Sequence, residues 1–169
     1  MGNFVLYANS LYDPDNTGVG HQPRTYDELM KFYDHYTVVG LKLRITYTHT
    51  ESFPIQIGIT PRDTNSTITA NFDAREYPGT KWMTVNSNGA GGQTKSMIYV
   101  FNPNKFLGRS KPLSDPELKG SINSSPTEGA YLNIWAWNPD GATASTTGRL
   151  TYTIDFAAVL TEPKIGNSS

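Results

Sequence analysis

Only a few groups of residues have the types and spacing that chemistry requires. Asp13-x-Asp15-x-Thr17-Gly18 places oxygen atoms at alternate positions, the opening of a calcium loop. Its twelfth position, where a bidentate Glu is needed, holds Arg24, and no helical pattern precedes Asp13, so the run reads as an Asp-Pro turn. His21, His35 and His49 stand on three separate segments without the close pairing that holds a metal. Cysteine is absent, which excludes thiolate nucleophiles, iron–sulfur clusters and Cys-based zinc. No metal or cofactor is expected. Neither G-x-S-x-G nor any other local nucleophile signature occurs, so no catalytic residue is assigned and the chain is read as a non-enzyme.

Trp135 and Trp137, two apart, share one face of any strand, with Tyr131 further along the same side. Such a pair serves either as an aromatic platform for a sugar or as packing in a core or subunit interface. A soluble carbohydrate-binding, lectin-like module is therefore the alternative function. Asn65-Ser66-Thr67 and Asn123-Ser124-Ser125 match the glycosylation sequon, which matters only in a secreted chain.

These residues must be positioned by strands and turns. The chain has 169 residues, the length of one domain spanning 1–169. A core at this size removes about 68–70% of the unfolded surface from water without a disulfide or metal staple. Charged residues make up only 17%, while Gly 15, Pro 11, Tyr 10 and twenty threonines favour strands and turns over helices. A net charge of −1 does not encode strong non-specific nucleic-acid binding. The apolar run Phe156–Leu160 is far shorter than a bilayer requires, so no membrane insertion is expected, and neither a signal peptide nor a myristoylation signal is visible.

A first strand is expected at 4–9, ending in the turn formers of 12–18. Thr25 and Glu28 have capping-box spacing, opening a short helix whose apolar stripe is Tyr26, Leu29, Met30 and Tyr33. Period-two alternation then runs over 36–48, with Val39, Leu41, Leu43, Ile45 and Tyr47 on one face and Val38, Gly40, Lys42, Arg44 and Thr46 on the other. Ile55, Ile57 and Ile59 alternate likewise until Pro61. The polar stretch 62–80 is either a functional excursion or hides a weak strand or turn. Strands follow at 81–86 and 95–101, then an irregular segment with a single turn at 104–107 and a weak strand at 118–122. The last strands are 131–137 and 150–160, the latter burying Leu150, Tyr152, Ile154 and Phe156 on one side. The expected fold is all-β: a single eight-stranded jelly-roll sandwich with long loops and one short helix between the first two strands.

Residues 10–40 carry a more specific pattern, Gly20-His21-Gln22-Pro23, then Tyr26-Asp27-Glu28-Leu29, then Tyr33-x-x-Tyr36-x-Val38-x-Gly40. Here the chain resembles the capsid proteins of small circular single-stranded DNA viruses, the circovirus-like group. The segments 102–108 and 150–156 are similar to later strands of the same family. The resemblance implies a jelly roll that assembles with itself into the smallest icosahedral shell (T=1), about 60 copies around the genome, in the virion. It places His21, Gln22, Pro23, Tyr26 and Tyr33 at or beneath a subunit interface, or equally in fixing the loop and helix within one subunit. Family members usually begin with an Arg-rich arm that packages DNA and directs nuclear import, whereas no basic residue precedes Arg24 here. A contact with viral single-stranded DNA is then weakened or lost, and the host nucleus is implied by the family without an import signal in this chain. Any residual contact would come from cations such as Lys42 and Arg44, although exposed Lys and Arg are more commonly just solvated charges on a polar sheet face. The host receptor is unknown.

Overall fold

Alternation of apolar and polar residues commits most of this chain to strands, and two sheets form by burying their apolar faces against each other. The computed structural model describes residues 2–18, 22–50, 52–69, 71–87, 93–139 and 147–164. Its strands are β1 (Gly2–Tyr7), β2 (Tyr33–His49), β3 (Ile55–Arg62), β4 (Lys81–Val85), β5 (Gln93–Phe101), β6 (Tyr131–Trp137) and β7 (Gly148–Pro163). Three short helices connect them: α1 (Tyr26–Met30), α2 (Asn71–Glu76) and α3 (Pro103–Phe106). All strand pairs are antiparallel, in a four-stranded sheet ordered β1-β6-β3-β4 and a three-stranded sheet ordered β5-β2-β7. Chain neighbours mostly cross between the sheets, as a jelly roll requires. Seven strands stand among the described residues where eight were expected.

The core fills the space between the layers. Leu6, Ile55, Ile57, Ile59, Val85, Leu132 and Ile134 come from one sheet, and Leu41, Leu43, Ile45, Met97 and Phe101 from the other. A second cluster of Leu11, Tyr26, Met30, Tyr36 and Val38 seals one end with α1 and the loop before it.

Six local expectations are corrected. In β2 the register shifts between Val38 and Gly40, a bulge that exchanges the faces of the strand. Tyr36 and Val38 are therefore buried on one side of the bulge and Leu41, Leu43 and Ile45 beyond it, while Val39 is only half-buried. Tyr33 belongs to β2, paired with Pro163, and not to the helical stripe. Thr25 sits at φ 66° and caps α1 without a side-chain hydrogen bond, because a left-handed residue there aims its hydroxyl at the Arg24 carbonyl. Residues 118–122 make isolated bridges, Tyr36 to Gly120 and Ser121 to Ser124, in place of a strand. The stretch 62–80 hides α2 rather than a strand. Finally, β7 does not bury its apolar face: Leu150, Ile154 and Phe156 are half-buried and Tyr152 is 38% exposed.

Candidate functional site

The loop leading into α1 is tied down by buried tyrosine hydroxyls. The Tyr36 hydroxyl accepts from the backbone N–H groups of Leu11 (3.1 Å) and Tyr12 (3.3 Å). Gly120 lies directly under this ring, where a Cβ would fall 2.3 Å from the hydroxyl oxygen. Tyr26 meets Tyr36 edge-on at 5.8 Å and donates its hydroxyl to the Ser121 carbonyl at 2.7 Å. Tyr7 donates likewise to Pro126 at 2.6 Å. Burial pushes the hydroxyls of Tyr7, Tyr26 and Tyr36 above the ordinary tyrosine range, so all three stay protonated at neutral pH.

Of the residues expected near an interface, Gln22 donates its side-chain N–H to the Tyr12 carbonyl at 3.1 Å, and the Pro23 carbonyl accepts from the Tyr26 N–H at 3.1 Å. Tyr26 is 4% exposed and Tyr33 half-buried. These contacts brace the loop within the chain. His21 lies outside the described residues. What α1 turns outward is Leu29, 45% exposed, and, one residue past its C-cap, Phe32, 66% exposed. Phe32 falls off the helical apolar stripe, and that misfit was the available signal for a surface contact.

No described element packs over the outer face of the β5-β2-β7 sheet. Lys42 stands between Val100 and Asp155, Arg44 between Ile98 and Thr153, and Thr48 between Thr94 and Arg149. Lys42, Arg44, Arg149, Ile98 and Val100 are all exposed, Val100 to 76%. Hydroxyl pairs join neighbouring strands, Thr46 with Ser96 at 2.8 Å and Thr48 with Thr94 at 2.9 Å. The strand thus brings Lys42 and Arg44 together on one face and adds Arg149, which sequence reasoning missed. Arg149 shares the parity of Thr151, Thr153 and Asp155, and that alternation was the signal for it.

The opposite outer face is roofed. Trp135 and Trp137 share a side as strand parity requires, yet Trp135 is 1% exposed. It lies on Gly58, donates its indole N–H to the Thr60 hydroxyl at 3.0 Å, and is covered by Ile68 and Ala74. The Thr60 hydroxyl donates in turn to the Ala74 carbonyl at 3.1 Å, which fixes α2 over the indole. Trp137 is half-buried beside this cluster. The two indoles therefore do not form an open platform for stacking.

The remaining candidates resolve into structure. Asp13 accepts from the backbone N–H groups of Thr17 (3.2 Å) and Gly18 (3.0 Å), the turn that its spacing suggested. His35 lies 3.1 Å from Glu162, and the Lys119 ammonium lies 2.5 Å from the same carboxylate. Hydrogen bonding to Lys119, followed by the charges of Lys119 and His35, holds the Glu162 carboxyl below its usual range. No cluster of three metal-ligating side chains exists among the described residues.

No family model matches the sequence, and no curated protein does. Solved structures do. A chain of Mud crab tombus-like virus is 14% identical with a TM-score of 0.52, covering 96% of this chain and 77% of that one. A chain of turnip yellow mosaic virus is 15% identical at a TM-score of 0.45, covering 99% and 96%. One of tobacco necrosis virus is 10% identical at 0.43, covering 98% and 88%. The first of these likenesses shows the fold: this chain is a jelly-roll sandwich of the kind found in that virus.

Proposed function

We propose that the chain is a coat-protein domain that assembles with copies of itself into a closed icosahedral shell, and that it has no catalytic role. The observation that carries this reading is the fold likeness to a chain of Mud crab tombus-like virus along 96% of the sequence. The surface supports it. Leu29 and Phe32 beside α1 leave apolar area bare, and such area is stabilised by burial in a subunit contact at about 25 cal/mol per Å².

A circular single-stranded DNA genome and the smallest shell, of about 60 copies, are the finer reading. They rest on the resemblance of residues 10–40 to circovirus-like capsid proteins. In this reading the β5-β2-β7 face looks inward, and Lys42, Arg44 and Arg149 meet phosphates. Placement in the virion follows from the assembly, whereas transit through a host nucleus draws on the family alone. The carbohydrate-binding alternative loses its main support with Trp135 under α2.

Light scattering of the purified protein across salt and pH, with the ratio of absorbance at 260 and 280 nm, tests the proposal. Closed particles of uniform mass support it, and a nucleic-acid absorbance signature supports the inward basic face. A strict monomer under every condition contradicts it.

A further inference from the structure

The two most exposed large apolar side chains among the described residues are Val100, at 76%, and Phe32, at 66%. They lie on opposite sides of β2. Phe32 and the exposed Leu29 stand beside α1, which packs over the inward face of β2 at Tyr36 and Val38. Val100 is paired with Lys42, beyond the bulge, on the outward face. There it flanks a groove of about 1050 Å³ lined by Val39, Lys105 and Ala157 among others. A second space of about 770 Å³ shares Val39, Asn102 and Lys105 with it and lengthens the groove past α3 towards Pro112. The two surfaces also differ in charge. The first turn of α1 carries Asp27 and Glu28, both exposed, whereas the groove has the exposed Lys105 at its rim. None of these three takes part in an ion pair among the described residues. Lys42, also at the rim, stands opposite Asp155 on β7, which offsets its charge.

We propose that Phe32 and Leu29 of one copy of this chain seat in the groove beside Val100 of a second copy, with Glu28 set against Lys105. The inference rests on the coat-protein reading and names the mate of the apolar patch beside α1. Complementarity argues for a second copy as the occupant. An apolar knob behind an acidic turn fits an apolar groove with a cation at its rim, and this chain carries both halves. Placement excludes the same copy, because the sheet containing β2 stands between knob and groove. It also sets the symmetry. Knob and groove lie on opposite sides of β2, so one neighbour cannot take both, and each copy gives its knob to one neighbour and its groove to another. Such a head-to-tail contact leaves unfilled sites until rotation closes a ring, which is the behaviour a closed shell requires. Burial of Phe32, Leu29 and Val100 supplies the strength of the contact, while the exposed rim pair sets its register and adds little.

Thiol cross-linking tests it, since the chain has no cysteine of its own. In the double variant Glu28→Cys, Lys105→Cys the knob and the groove stay intact and two thiols replace the rim pair. Assembled and then treated with a short bis-maleimide, it should run on a denaturing gel as a ladder of dimers, trimers and larger multiples. The ladder should exceed the cross-linking of either single variant by about tenfold or more, because only unlike sites meet in a head-to-tail contact. A monomer band from particles that form normally overturns the proposal and leaves the coat-protein reading standing. Dimers from a single variant also overturn it, since like sites then face each other across a two-fold axis. A wild-type chain that never assembles overturns both readings. Should the double variant not assemble, charge reversal decides. Lys105→Glu should raise the concentration at which particles form by about tenfold, and adding Glu28→Lys to the same chain should restore it. Rescue supports the contact, and an absence of effect or of rescue overturns it.

Discussion

The two sheets are alike on their inner faces and unlike on their outer ones. The β1-β6-β3-β4 sheet is roofed by α2 and the segment around Ile68, so Trp135 is buried and the outer face gains a small core of its own. Among the described residues the β5-β2-β7 sheet is bare on its outer face, with Lys42, Arg44 and Arg149 set among Ile98 and Val100. An aromatic residue under a roof contributes packing, and a charge on a bare sheet remains available for contact with something else. The same residue types thus carry different meanings on the two faces, and the roof decides which.

The largest expected effect comes from breaking the roof. Trp135→Ala should cost about 3–5 kcal/mol, read as a large fall in thermal midpoint, because the indole fills the space over Gly58 and bonds Thr60. Next is the clamp at the end of the sandwich. Tyr36→Phe leaves the Leu11 and Tyr12 N–H groups without their acceptor and should cost about 1–3 kcal/mol in denaturant unfolding. On the exposed side the signs separate. Leu29→Ser with Phe32→Ser should leave the monomer's midpoint within about 2 °C while abolishing large species in light scattering. The triple variant Lys42→Ala, Arg44→Ala, Arg149→Ala should fold normally and assemble. Its nucleic-acid affinity should depend less steeply on salt, by up to about three phosphate contacts' worth of slope.

The smallest effect is a matter of pH. Glu162 has a lowered folded pKa, so its contact with Lys119 contributes stability above the unfolded carboxyl's pKa, and this is lost as pH falls through the folded value. Midpoints of the wild type and Glu162→Gln should differ slightly at neutral pH and converge in acid. Divergence in acid would contradict the assignment.

Much of this was legible beforehand. Alternation of Leu41, Leu43 and Ile45 against Lys42 and Arg44 places those cations on a solvent face, as observed. The bulge at Val38 was not legible, since Val38-Val39 fits either parity and only pairing with Ala157 and Ala158 decides between them. The roof was hidden for another reason. Residues 62–80 are polar, and α2 owes its place to tertiary hydrogen bonds through Thr60 rather than to an apolar stripe. One signal stood in plain view: Gly58 between Ile57 and Ile59 marks a close approach, here that of the Trp135 ring. Gln22, Pro23 and Tyr26 make contacts within the chain that the sequence did not show, because a tyrosine flanked by turns gives no sign of which carbonyl its hydroxyl will meet.

The most direct test of the bare and roofed faces is a cryo-electron microscopy reconstruction of particles assembled from this chain. The account predicts Leu29 and Phe32 buried between subunits, the roof over Trp135 on the outside, and Lys42, Arg44 and Arg149 lining the lumen. Particles whose lumen is lined by α2, with the β5-β2-β7 face turned to solvent, would contradict it.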